Sequence, residues 1–501
     1  MPEENSEERD YGSTSVYAEL EQRERGEISQ SAVSAPKAEL RRIVLVAAAT
    51  AATLGYDVGI MAAAIQPLES EMKLSGVQKE LAMGSLNFVA ALGALLGGAI
   101  ANKRGRKLTV SVCCWLFVVG TICMAFAPVY GVLLLGRMIT GMGVGVSFVV
   151  APVYLAEVAP AEQRGQVNTV FDVAINGGIL LGYVIGFLVQ LLPIASTLKW
   201  RLMLGMGLLL PIAVLFNLRK LPESPRWLVM ANMPDAASSV LQGLGQTPRQ
   251  VMRTVSSIED ELKSEDNQIV SLWRWSRGMR LAVALGFWQQ ITGTEAVLYY
   301  SADFLAKAGL ESSTQRLLGN IFVGLCKLTP ELIAMRVVDS VGRRPLMLGS
   351  AVSLMLTTAL LALGFWRAWH PMVIVVLLCA VMASFSLGLG PFTFLVASES
   401  LGLTERATGM TLCAAANRCT SGTVALTAVS LYEALGNAGL FALYAGIGLI
   451  SLPFYFTSVP ETTGQTLEEL AARNRGHTHV HHRQPDEEHQ QAECSTSGQM
   501  A

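Results

Sequence analysis

NKRGRK, Asn102–Lys107, returns much further along the chain as DSVGRR, Asp339–Arg344. Each copy is a short basic break between two long apolar runs. Other features repeat in the same relative places. Glu157 precedes Arg164 by seven positions, and Glu399 precedes Arg406 by seven. LPES (Leu221–Ser224) closes one set of runs and VPET (Val459–Thr462) closes the next. A chain that repeats its breaks at matched positions is built from two related halves, and membrane carriers are commonly made this way, with their site at the midplane between repeats.

The apolar runs themselves decide the fold class. Of 501 residues, 51% are hydrophobic and only 15% charged, where a soluble domain carries about a quarter charged. Twelve apolar runs lie near 42–66, 83–101, 108–127, 131–155, 167–192, 202–218, 281–305, 317–338, 346–366, 372–397, 408–432 and 438–458. Each is close to the ~20 residues that cross a hydrocarbon core. Lipid offers no partner to a bare N–H or C=O, so the runs are expected to be helices. A soluble bundle of buried helices is the alternative, but its helices are rarely this long and this apolar all round.

Charge placement orients the chain. KRGRK follows the second run and VGRRP (Val341–Pro345) the eighth, while loops of the other parity hold few basic residues, such as Lys73, Lys79 and Lys199. Basic loops stay cytoplasmic, so both termini and the charged segment from Arg219 to Arg280 are expected there. The polar N-terminus shows no cleavable signal. With a net charge of −2, nucleic acid is not an expected partner. Seven of the eight cysteines lie in or beside the runs, and Cys494 lies in the tail, so no disulfide framework is expected.

Beyond these patterns, the chain resembles the sugar-porter branch of the major facilitator superfamily. The resemblance rests on GAIANKRGRK (Gly98–Lys107), GRMITGMGVG (Gly136–Gly145), PVYLAEVAPAEQRG (Pro152–Gly165), PESPRWL (Pro222–Leu228), QQITGTEAVLYYS (Gln289–Ser301), DSVGRRP (Asp339–Pro345), GPFTFLVASE (Gly390–Glu399) and VPETTGQTLEEL (Val459–Leu470). It implies an all-α integral membrane protein with twelve transmembrane helices in two six-helix bundles. The expected division is a disordered arm over 1–40, bundles over 41–219 and 281–459, a linker with short helices over 220–280, and a tail over 460–501.

By the same resemblance, Glu157, Arg104, Arg106 and Arg164 form the cytoplasmic gate in one half, and Asp339, Arg343, Glu399 and Arg406 in the other. Arg–carboxylate pairs at a membrane edge are strong yet can be opened. The plainer reading is that these basic loops only fix topology. Asn102 stands where the family pattern has Asp, and it cannot form an ion pair.

LGYDVGIMAAA, Leu54–Ala64, places Asp57 in the first apolar run. A charge at mid-bilayer costs ~2.5–3.5 kcal/mol on insertion scales, so it usually faces a cavity and has a partner. Arg137, at the head of GRMITGMGVG, is the natural one. The resemblance gives this pair the proton-coupling role: a proton on Asp57 releases Arg137 and lets the helices rearrange. A static structural pair is the alternative. Histidine offers no substitute, since five of six lie in the tail and His370 in an expected outer loop.

The substrate site follows the same logic. Gln289, Gln290, Thr294 and Glu295 cluster on the seventh run, where Gly293 permits a break. The resemblance adds Tyr299 and Tyr300 at the outer gate. Glu295 stands where many hexose carriers have Asn, and Asp172 where they often have Gln; both lean to polyol carriers, as do Asn417 and Lys327. Phe394 replaces a usual Trp and keeps an aromatic wall. Interhelical packing is the plainer role for such polar groups, and it stays open for Asn417 and Lys327. Gly93/Gly97 and Gly141/Gly145 have the spacing of close helix contacts.

The function expected is secondary active transport: proton-coupled symport of a polyol or monosaccharide by alternating access, with no enzyme activity, cofactor or metal. No GxxxxGK[ST] loop for ATP is present. The alternatives are a facilitative hexose uniporter and a sugar receptor that does not transport. The expected partners are a neutral sugar or polyol, the proton and the bilayer, with a monomer as the working unit. Plasma membrane is the expected location.

Overall fold

The computed structural model describes residues 30–158, 164–266, 275–401 and 403–462. For 30–39, 164–169, 261–266, 339 and 403–407 only the backbone is described. The sequence-based expectations for the N-terminal arm before 30 and for the His-rich tail lie outside these residues.

Among the described residues the chain is helical, with no strand. The first half holds α1 (Gln30–Met72), α2 (Gly76–Arg104), α3 (Arg106–Ala125), α4 (Tyr130–Val158), α5 (Arg164–Leu191) and α6 (Ser196–Leu218). Three short unlabelled helices follow, Pro225–Met230, Pro234–Gly243 and Pro248–Asp266. The second half begins with α7, in two pieces, Arg277–Ile291 and Thr294–Lys307. Then come α8 (Ser313–Val341), α9 (Arg343–Trp366) and α10 (Pro371–Glu399). The last helical stretch, Leu403–Ser458, bends at Gly436 (φ 72°) and so makes two spans, α11 before it and α12 after.

Hydropathy alone does not mark all twelve. α7 is broken, and α8 carries Lys327, Glu331 and Arg336 within its length. The helices also outrun the apolar runs. α1 has 43 residues, about 65 Å at 1.5 Å per residue, against a ~30 Å hydrocarbon core. Hydropathy locates the oil-facing part, while hydrogen bonding carries the helix on beyond it.

The opening repeat has a structural cause. Gly105 and Gly342 separate α2 from α3 and α8 from α9 by a single residue each, at φ 93° and 97°, a region that side chains disfavour. Each turn leaves bare N–H groups at a helix start, and a distant carboxylate takes them. Glu223 of LPES accepts from the backbone of Arg106 (2.9 Å) and Lys107 (3.2 Å). Glu461 of VPET accepts from Arg343 and Arg344, both at 3.1 Å. The two repeated motifs are therefore two parts of one capped turn, made once in each half.

Glycine also sets the packing inside the first half. A Cβ on Gly141 would meet Leu86 O at 2.6 Å, and one on Gly97 would meet Val146 Cα at 2.9 Å. Gly93 and Gly145 likewise face the backbones of Met142 and Ala90. The two GxxxG pairs thus let α2 and α4 touch backbone to backbone. Gly145→Leu is expected to cost at least ~3 kcal/mol, the upper end of overpacking. Thermal unfolding by size-exclusion chromatography checks this; an unchanged transition would remove the packing argument.

Candidate functional site

The site lies at mid-depth between the halves, beginning on α1. Arg137 is fully buried and Asp57 is 7% exposed. Arg137 Nη1 donates to Asp57 Oδ2 at 2.6 Å, and its Nε donates to the Ala82 carbonyl at 2.8 Å. Its Nη2 is buried with no acceptor. The pair joins α1, α2 and α4 with one guanidinium nitrogen left over.

On the other side, α7 breaks at Gly293 (φ 85°), where a Cβ would run into the Tyr444 ring. The break ends one helix at Gln289 and Gln290 and starts another at Thr294 and Glu295, all four buried. Gln289 Nε2 donates to the Leu389 carbonyl at 2.7 Å, where α10 is itself interrupted. Asn417 Nδ2 donates to Gln289 Oε1 at 2.5 Å. Gln290 Nε2 donates to Asn417 Oδ1 at 3.4 Å. Glu295 Oε1 accepts from Ser421 Oγ at 2.9 Å.

Arg418 organises this cluster. Its Nη2 and Nε donate to Asn417 Oδ1 at 2.6 and 3.0 Å. Nη2 lies 3.9 Å from Glu295, and Nη1 reaches Asn87 of the first half at 3.5 Å. Its guanidinium stands 4.6 Å from the Phe148 ring centre, and Phe148 leans against Phe394 at 6.4 Å. Cation and aromatic faces thus line the seam. Gln290 Oε1, Glu295 Oε2, Asn87 Nδ2 and the Tyr299 hydroxyl are buried without hydrogen-bond partners. Buried polar atoms are normally satisfied, so this unmet capacity is what a polyhydroxy ligand would fill. Tyr299 lies within electrostatic reach of both Asp57–Arg137 and Glu295–Arg418.

Asp172 stands on α5, near Lys327 and Glu331 of α8, and Lys327 is in turn within electrostatic reach of Glu295 and Arg418. Tyr300 is buried, and its hydroxyl donates to the Ala425 carbonyl at 2.9 Å.

At the end with the basic turns, an ion pair between described residues is present in each half. Arg106 grips Glu157 with Nε and Nη2, both at 2.8 Å, and Ser224 Oγ donates to the same carboxylate at 2.6 Å. Arg343 stands 3.8 Å from Glu399. Both pairs tie helices within a half, α3 to α4 and α9 to α10. Arg104 is exposed and makes no ion pair among the described residues. The side chains of Arg164, Asp339 and Arg406 lie outside the described set. Asn102 is exposed too, and its carbonyl accepts from Trp227 Nε1 at 3.0 Å.

The opposite end is closed across the halves. Lys79 Nζ lies 2.7 Å from Glu69 and 2.8 Å from Asp303. Glu80 accepts from the amide and hydroxyl of Ser430, both at 2.7 Å. Tyr183 donates its hydroxyl to the Leu298 carbonyl at 2.8 Å. Lys79, expected in an outer loop, is instead buried in the first turn of α2.

Sequence reasoning missed Arg418, Asn87 and Glu331. Arg418 and Glu331 each interrupt an apolar run, the same signal that exposed Asp57.

Two six-helix bundles around buried, unsatisfied polar groups, sealed at one end, define a multi-pass membrane transporter. The sequence matches the model for "Sugar (and other) transporter" over residues 43–473, and the chain belongs to that family, within the sugar porters of the major facilitator superfamily. It is therefore a carrier and not an enzyme. Polyol transporter 5 of Arabidopsis thaliana is 32% identical over 456 residues, covering 85% of this chain and 84% of that one. Major myo-inositol transporter IolT of Bacillus subtilis (strain 168) is 29% identical, covering 88% and 95%. Among solved structures, the partially occluded inward open conformation of the xylose transporter XylE from E. coli matches with TM-score 0.77 at 25% identity, covering 86% of this chain and all of that one. The proton:xylose symporter XylE bound to 6-bromo-6-deoxy-D-glucose matches with TM-score 0.76 at 25% identity, covering 87% and 99%.

Proposed function

We propose that the protein carries a polyol or monosaccharide together with a proton, by alternating access. The observation that carries this reading is the Asp57–Arg137 pair, buried beside a cluster of unsatisfied polar atoms. Gln289, Gln290, Thr294, Glu295, Asn417 and Tyr299 hold the substrate, with Phe394 as an apolar wall. Asp57 holds the proton. When it ionises it takes Arg137, as in this structure. When it is protonated, Arg137 is free to turn its donors elsewhere, and Tyr299 passes the change to the substrate groups.

The polyol transporters and the proton:xylose symporter among its relatives support this reading. We place the basic end and both termini in the cytoplasm, in the plasma membrane, with the monomer as the working unit. The closed end is then the outer one, and the structure stands at the stage facing the cytoplasm after proton release. Glu157–Arg106 and Arg343–Glu399 brace each bundle while the two rock.

Uptake into proteoliposomes, with a competition panel of polyols and sugars and with or without an imposed pH gradient, tests the reading. Accumulation is expected only with the gradient. Uptake that merely equilibrates under both conditions would instead show a uniporter. Gln289→Ala removes a hydrogen-bonding group from this cluster. It is expected to raise KM by roughly 5–30-fold, the worth of ~1–2 kcal/mol. An unchanged KM would take Gln289 out of the site.

A further inference from the structure

Charges inside this membrane domain do not balance in pairs. Away from both ends of the bundles, among the described residues, Asp57, Glu295 and Glu331 are buried and Asp172 is half-buried, against three buried cations, Arg137, Lys327 and Arg418. Asp57 is held by Arg137 at 2.6 Å, and Glu295 faces Arg418 at 3.9 Å. Asp172 on α5 and Glu331 on α8 are left to share Lys327.

This second cluster lies on the seam between the halves, where Glu331 accepts a hydrogen bond from Asn176 of α5. Glu331 is 2% exposed and Lys327 is 7% exposed. Oε1 of Glu331 is buried with no hydrogen-bond partner. Lys327 directs its ammonium to the Phe385 ring of α10, at 4.7 Å, and not into a contact ion pair. The other charged groups within its reach are Glu295 of α7 and Arg418 of α11. α10 brings no charged side chain before Glu399.

Charges in hydrocarbon are costly without a partner, and two carboxyls in one site do not both ionise when their counter-charge is insufficient. We propose that Asp172 and Glu331, with Lys327, form a proton-binding site separate from Asp57, holding one proton while the Asp57–Arg137 pair is closed. A proton on Glu331 Oε1 turns the orphan acceptor into a donor, with Asp172 as the neighbouring carboxylate. The site rests on charge balance and position, independently of what the carrier moves.

Infrared spectroscopy of the purified protein, in ester-free detergent at neutral pH, reads the C=O stretch of a protonated carboxyl. Wild type is expected to show one such band, shifted by exchange into heavy water, and Asp57→Asn is expected to keep it. Glu331→Gln and Asp172→Asn should each lose it, because the surviving acid then pairs with Lys327 as a carboxylate. Lys327→Met should enlarge it roughly twofold, both acids then holding a proton. Both amide variants preserve size and hydrogen bonding, so the test stands even if Lys327→Met does not fold. A wild type without the band overturns the proposal. So does a band that survives both Glu331→Gln and Asp172→Asn, or one lost only in Glu295→Gln, which would put the proton at the other pair.

Discussion

Asp57→Asn is expected to abolish accumulation of substrate while leaving exchange across the membrane partly intact. Each proton entering down a potential of 100 mV carries ~2.3 kcal/mol, enough for roughly fifty-fold accumulation of a neutral solute. Asn keeps the shape of Asp57 and still accepts from Arg137, but it cannot take up or give up a proton. The bundles can still rock with substrate bound, so labelled substrate inside continues to exchange for unlabelled substrate outside. Counterflow in proteoliposomes measures the second property, and uptake under an imposed pH gradient measures the first. Undiminished accumulation in the variant would remove Asp57 from the coupling. Loss of both activities in a protein that folds normally would make the pair structural.

Arg106→Ala is expected to destabilise the first bundle by about 3–5 kcal/mol, the cost of stranding a buried partner. The Arg106 side chain is 5% exposed and that of Glu157 10%, and they meet through two parallel bonds of 2.8 Å. Removing the arginine leaves Glu157, among the described residues, with only the Ser224 hydroxyl. Arg104, two residues earlier, gives the internal control. It is exposed, and Arg104→Ala is expected to stay within about 0.5 kcal/mol of wild type. Thermal unfolding in detergent reads both. Equal effects from the two would mean that net basic charge, and not the Glu157 grip, matters at this turn.

These two cases show what sequence reveals and where it stops. Asp57 was legible because an acid in an apolar run demands a partner, and Arg137 was the matching cation. The two-bundle plan was legible because the breaks repeat. Arg104 and Arg106 looked alike, since both belong to KRGRK; only the turn at Gly105 aims one at Glu157 and the other at solvent. Glu223 and Glu461 were visible as part of a repeat, yet their work is done on backbone N–H groups about 117 residues away, a relation no local pattern encodes. Arg418 sits directly beside Asn417 in the sequence. Its reach across the seam to Asn87 depends on how α11 packs against α2, which hydropathy does not specify.

The seal at the end opposite the basic turns fits the same picture. Lys79 joins Glu69 of its own half to Asp303 of the other, so opening that end must break a buried ion pair. The structure shows this seal closed together with the Asp57–Arg137 pair. A carrier that has just released its proton inward would hold both.

The central claim is that a proton on Asp57 travels with the substrate. Adding substrate to de-energised proteoliposomes in weakly buffered medium, with a pH electrode outside, tests it most directly. Wild type is expected to alkalinise the medium as substrate enters, and Asp57→Asn to move substrate by exchange without any change in pH. Alkalinisation by the variant equal to that of wild type, or none by wild type while substrate enters, would contradict the account.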